Sequence, residues 1–161
     1  MSPRPAAEIE RAFARLGTDL LLSWAGTAGA YVDADLATVT RPGPGRPPVD
    51  LAVAARVEQA AQMLVNRLMT REGELAALGH PDYGSRHHEL IGEPNTQRTR
   101  NLIKLYVLQA LRREPRVSIE RCEVTVGPRP RDVVRIELTL RLIATDDPLN
   151  LVLPFALGGG G

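Results

Sequence analysis

Hydrophobic positions change their spacing three times along this chain. Over residues 5–16, Ile9, Phe13 and Leu16 fall on one face while Glu8, Arg11 and Arg15 lie elsewhere, so the spacing predicts a short amphipathic helix. Leu20-Leu21-Leu22-Ser23-Trp24 reads as a short buried strand, broken after it by Gly26 and Gly29. Val39-Thr40 extends locally. Residues 41–48, Arg-Pro-Gly-Pro-Gly-Arg-Pro-Pro, hold too much Pro and Gly for regular structure and predict an exposed loop. From about 50 to 70 the apolar positions Leu51, Ala54, Val57, Ala61, Leu64, Val65 and Leu68 return at helical spacing, with Asp50 as the expected N-cap. Gly73 and Gly79-His80-Pro81 mark an irregular connection, and Ser85 is placed to cap a short helix ending near Leu90 or Ile91.

A further helix starts at Asn95 or Thr96. Its apolar face is Leu102, Ile103, Tyr106, Val107, Ala110 and Leu111, and Pro115 stops it. Beyond Pro115 the period becomes two. Val134, Ile136, Leu138, Leu140 and Leu142 alternate with Arg135, Glu137, Thr139 and Arg141, the pattern of a half-buried strand. Before it, Val117 and Ile119 occupy one parity and Cys122, Val124 and Val126 the other, so a bulge near Glu120-Arg121 is needed to keep one buried face. Gly127 to Asp132 makes the hairpin connection, and Leu149 to Phe155 a third strand, with Pro154 tolerated at a sheet edge. The fold class expected is α+β: amino-terminal helices packed on a small antiparallel sheet near the carboxy terminus. Residues 1–48 form a helix and an irregular segment, 49–157 the core, and 158–161 a flexible Gly tail. No internal repeat is read.

At 161 residues the chain is long enough for one self-sufficient core. Its formal net charge of +1 lacks the footprint of a nucleic-acid binder. No run of apolar residues is long enough to cross a membrane, and Met1 to Pro5 leads into a polar segment rather than a signal core, so cytoplasmic production is expected. The single Cys122 sits in a strand pattern and reads as a buried thiol. His87 and His88 are adjacent, which is the wrong spacing for chelating one metal from a helix, and no Gly-rich phosphate loop or nucleophile elbow occurs. No cofactor, metal or catalytic set is expected. The carboxylates Glu72, Glu74, Asp82 and Glu89 around the central loop are the only material for a wall hydrolase, and aromatic sugar platforms are scarce.

Three stretches together resemble one family. They are Gly73-Glu74-Leu75 continuing through His80-Pro81-Asp82-Tyr83-Gly84, then Glu114-Pro115-Arg116-Val117 where a helix meets a strand, then Asn150-Leu151-Val152-Leu153-Pro154-Phe155. Their order resembles the baseplate wedge and sheath-initiator family of contractile phage tails, with relatives in type VI secretion and extracellular injection particles. The likeness spans roughly residues 49–157. It implies a structural subunit, present in several copies in a symmetric ring and assembled in the cytoplasm before it joins a particle. The implied partners are other wedge subunits, the sheath protein and inner tube or hub proteins. The Glu-Pro-Arg triplet of that family contacts the wedge, which implies partner binding by Glu114, Pro115 and Arg116. The strand around Leu151, Val152 and Leu153 is implied in sheath nucleation by strand augmentation. Tyr83 and Gly84 are expected to shape a loop. Two other readings remain: a lysozyme-like peptidoglycan hydrolase, and a free cytosolic adaptor.

Overall fold

The computed structural model describes residues 5–27, 30–45, 49–127 and 132–158. Gly29, Arg46 to Pro48, most of the Gly127–Asp132 connection and the last three glycines of the tail lie outside these residues.

Helix α1 (Ala6–Leu16) buries Phe13 and Leu16 as its spacing requires, with Glu8 in the first turn and Arg15 in the last, each favourable to the helix dipole. It packs on α2 (Arg56–Met69). The Arg56 guanidinium lies 4.0 Å from the Phe13 ring centroid and pairs with Glu10 at 2.7 Å.

Between these helices the chain builds a layer of which the sequence showed only the extended pieces at residues 22–24 and Val39-Thr40. Three extended segments each break once and pair with the other two. The first gives β1 (Thr18–Leu20) and β2 (Leu22–Thr27), the second β3 (Ala30–Leu36) and β4 (Thr38–Thr40), the third β5 (Val49–Leu51) and β6 (Val53–Ala55). β1 pairs with β6, β2 with β3 and β4 with β5, all antiparallel. At the crossing the backbone bonds close a triangle: Leu21 N–H donates to Ala52 C=O, Ala52 N–H to Ala37 C=O, and Ala37 N–H to Leu21 C=O, at 2.8–2.9 Å. An Asp-Leu pair precedes each corner. Asp19, Asp35 and Asp50 each accept, through Oδ1, the N–H of the following leucine at 2.7–2.8 Å. A short three-fold repeat is thus present, against the expectation of none.

Two expectations are corrected here. Asp50 caps no helix: it lies in β5 and pairs with Arg41 at 2.6 Å, and α2 begins only at Arg56. The run Val49 to Ala55 satisfies helical and alternating patterns equally, and pairing with two distant segments decides for strand. Leu20 to Trp24 is not one buried strand either, since it breaks at Leu21 and Leu20 is exposed.

The main core is as expected. Helix α3 (Gln97–Arg112) is capped by Thr96, whose side chain accepts from Thr99 N–H at 3.2 Å. It covers a sheet of β7 (Val117–Val126), β8 (Val133–Leu142) and β9 (Pro148–Ala156), with β8 central. The β7–β8 register slips between Ile119 and Arg121, so the bulge falls where the change of parity put it. Leu64, Leu68, Ile103, Val107, Leu111, Ile136, Leu138, Leu140 and Leu142 are almost fully buried. Each contributes about 1.5–3 kcal/mol of transfer free energy. Among the described residues no helix is long and apolar enough to cross a membrane.

Candidate functional site

Where α3 ends, the chain turns sharply into β7. Arg113 N–H bonds Ala110 and Leu111 C=O, Glu114 N–H donates to Leu111 C=O at 3.0 Å, and Val117 N–H to Glu114 C=O at 3.5 Å. Pro115, at the outside of this corner, has no N–H to lose and is exposed.

The two charges on either side of it have different environments. The Glu114 side chain is 3% exposed, that of Arg116 43%. They meet as a bidentate pair: Arg116 Nε donates to Glu114 Oε1 at 2.5 Å and Nη2 to Oε2 at 3.0 Å, and the Arg116 backbone N–H also points at Oε1 at 3.3 Å. Arg116 Nη2 also touches Met63 Sδ. On the inner side, Arg67 Nη2 lies 3.7 Å from Glu114 Oε2, with the Arg67 side chain only 12% exposed. Burial pushes the Glu114 carboxyl up. The hydrogen bonds and charge of Arg116, together with the charge of Arg67, outweigh it and hold the carboxyl below its ordinary value. Glu114 is therefore an ionised, buried group held between two guanidinium groups.

Arg67 ties this corner to the central loop. Its guanidinium stacks on Tyr83, 4.5 Å from the ring centroid, and burial raises the Tyr83 phenol pKa. Arg67 Nε is buried with no hydrogen-bond partner among the described residues. Arg113 Nη1 donates to Glu72 Oε1 at 2.7 Å and to Asp82 C=O at 2.8 Å, binding the same loop to the end of α3. Gly84 has φ +104°, and a Cβ there would stand 2.6 Å from Arg71 C=O. Only glycine fits this close approach. Arg67, Tyr83, Arg113 and the turn from Gly79 to Asp82 line an open depression of about 390 Å³ beside the corner.

The carboxy-terminal candidates lie across the sheet on β9. Leu153 is buried in the core, Leu151 is half-buried against it, and Val152 faces solvent. Among the described residues β9 pairs only with β8 and is therefore an edge strand, with β3 packed against it. β7 is the other edge, and beside it runs an open groove of about 470 Å³ lined by Lys104, Leu108, Arg112, Ile119 and Cys122. The structure thus brings Glu114, Arg116 and Tyr83 into one cluster and keeps Leu151, Val152 and Leu153 apart from it.

Sequence reasoning missed Arg67, Met63 and Gln62. Arg67 sits one position before Leu68 in the apolar run of α2, and nothing in the spacing shows that it turns inward.

Residues 53–147 match the family of the baseplate wedge protein gp25. The chain belongs to the baseplate wedge gp25 family. A crystal structure of a protein called a tail lysozyme, from Geobacter sulfurreducens, is similar at 27% identity and a TM-score of 0.57, over 65% of this chain and 93% of that one. No curated protein matches the chain. Membership of the wedge gp25 family gives the protein a structural baseplate role in a phage tail of the contractile kind, assembled with other baseplate components. The match includes the Glu114 corner and the central loop and stops at residue 147, one residue before β9.

Proposed function

We propose that this chain is a non-enzymatic subunit that joins baseplate wedges to the tube and sheath and starts sheath assembly by strand augmentation, in several copies around a ring. Wedge attachment falls to the corner of Glu114, Pro115 and Arg116. The observation that supports this most is the arrangement of Arg116. Its guanidinium is fixed by a buried carboxylate yet remains nearly half-exposed, so it is pre-oriented, and its Nη1 bonds nothing among the described residues and is left for a partner. Sheath nucleation falls to β9, where Val152 presents an apolar side chain on an edge strand.

A hydrolase reading finds little support in the loop carboxylates. Glu72 is engaged by Arg113, Glu74 accepts the Arg71 N–H at 3.0 Å, and Glu89 pairs with Arg86 at 3.0 Å, which lowers its pKa. The lowered pKa of Glu89 is opposite in sign to the shift that a general acid needs.

Val152→Lys places a charge on the edge without opening the core. The expectation is normal baseplates without sheath on electron micrographs of particles that carry this variant. Sheaths of ordinary length and number would remove β9 as the template.

A further inference from the structure

The three-way strand crossing offers the same backbone notch three times, and among the described residues the chain fills only one. At the first corner, Gln62 of α2 is 6% exposed and inserts its side-chain amide. Its Nε2 donates to Leu20 C=O and its Oε1 accepts from Leu22 N–H, both at 2.8 Å. These two groups point the same way because residues i and i+2 of a strand present N–H and C=O to the same side. They point outward because Leu20–Val53 and Leu22–Leu36 are non-hydrogen-bonded pairs: Leu20 N–H is held by Asp19 and Leu22 N–H by Gln62.

The other corners repeat this geometry. Leu36 N–H is held by Asp35 and Leu51 N–H by Asp50, and Thr38 is paired with Leu51. Leu36 C=O with Thr38 N–H, and Leu51 C=O with Val53 N–H, are therefore the equivalents of the pair that Gln62 holds. The alternation of bonded and non-bonded pairs in these registers turns both sets away from the strand ladders, and neither bonds a side chain or loop group among the described residues. Alternation from these registers puts Leu20, Leu36, Leu51 and Val53 on one face around the crossing, 40%, 43%, 40% and 55% exposed. Leucine and valine at such exposure thus stand beside open polar notches on the same face.

We propose that the two open notches receive side-chain carboxamides, glutamine or asparagine, from a helix of a partner protein that packs its apolar face on these residues and makes there the pair of bonds that Gln62 makes at the first corner. The chemistry is selective. A notch with one acceptor and one donor rejects a carboxylate, which would face the C=O lone pairs, and an ammonium, which would face the N–H. A carboxamide satisfies both at once. The surface lies almost wholly ahead of residue 53, where the family match begins, so it adds to the shared core and stands apart from the reading of the Glu114 corner.

The probe is a peptide with the sequence of α2, Arg56–Met69, held helical by a side-chain staple on the face away from Gln62, against the ¹⁵N-labelled full chain. An isolated helix of that length is marginal without the staple. The expected result is a saturable shift of the Thr38 and Val53 amide resonances. Their exchange should slow roughly tenfold at about 90% occupancy, because exchange proceeds from the free fraction. The same peptide with Gln62→Leu should give neither effect. The proposal is overturned if these amides do not move, if the leucine peptide moves them equally, or if the shift appears at Leu22, whose notch is already full.

Discussion

Replacing Glu114 with alanine should destabilise the protein by about 3 kcal/mol, the low end for breaking a buried ion pair. Two guanidinium groups lose their counter-charge, but they do not lose equally. Arg67, 12% exposed and carrying an Nε with no partner among the described residues, is solvated far less than Arg116 when the carboxylate goes. Arg116, 43% exposed, swings out and is solvated, so its share is near the surface value of ~0–1 kcal/mol. Glu114→Gln keeps hydrogen-bond acceptance but not the charge and should cost about 1–2 kcal/mol. Arg116→Ala should cost about 1 kcal/mol or less. At this chain length each kcal/mol moves Tm by roughly 2–4 °C, so Glu114→Ala should melt about 6–12 °C lower. Urea titration separates the effects, and a double-mutant cycle assigns the coupling. The carboxyl's low pKa gives the sign with pH: this stabilisation is present above the unfolded pKa near the usual 4.5 and is lost as pH falls through the folded value below it. An Arg116→Ala cost as large as that of Glu114→Ala would refute the reasoning, because the exposed guanidinium would then carry the energy.

Gly84→Ala should lose at least about 2 kcal/mol by urea titration, since φ +104° and a backbone contact at 2.6 Å leave no room for a Cβ; a loss within ~0.5 kcal/mol would mean that the loop shifts freely. His87 should make the fold sensitive to acid. Burial, then the charge of His88, lowers its pKa from 6.5 to about 3. The unfolded chain takes up that proton first, so stability falls as pH drops below 6.5 and goes on falling towards about 3, by up to ~1.4 kcal/mol per pH unit. His87→Gln should flatten this slope between pH 7 and 5, and an unchanged slope would assign it to other groups. Gln62→Leu should cost about 2 kcal/mol, because Leu20 C=O and Leu22 N–H lose their partner; hydrogen exchange should then rise at Leu22 before it rises in the main core, and uniform exchange would contradict this.

The sheet, α3 and the bulge were legible because each depends on a local period: alternation in β8, helical spacing closed by Pro115, and a change of parity at Glu120-Arg121. The three-way crossing was not, because its hydrogen-bond triangle joins Leu21, Ala37 and Ala52, and no local pattern encodes which distant backbone a strand meets. Its trace was the Asp-Leu pair at 19, 35 and 50, too short to separate from chance until the geometry showed each Asp holding the next N–H. At the candidate site, sequence brought Glu114 and Arg116 forward but not their difference in burial. That difference comes from Arg67 and Met63, side chains of α2 that approach the corner from about fifty residues earlier.

The most direct measurement is electron microscopy of particles from cells that lack this chain, compared with cells in which the wild type is restored. The account predicts that sheathed particles disappear without the chain and return with it. Contractile particles of normal form assembled in its absence would contradict the baseplate role at its centre.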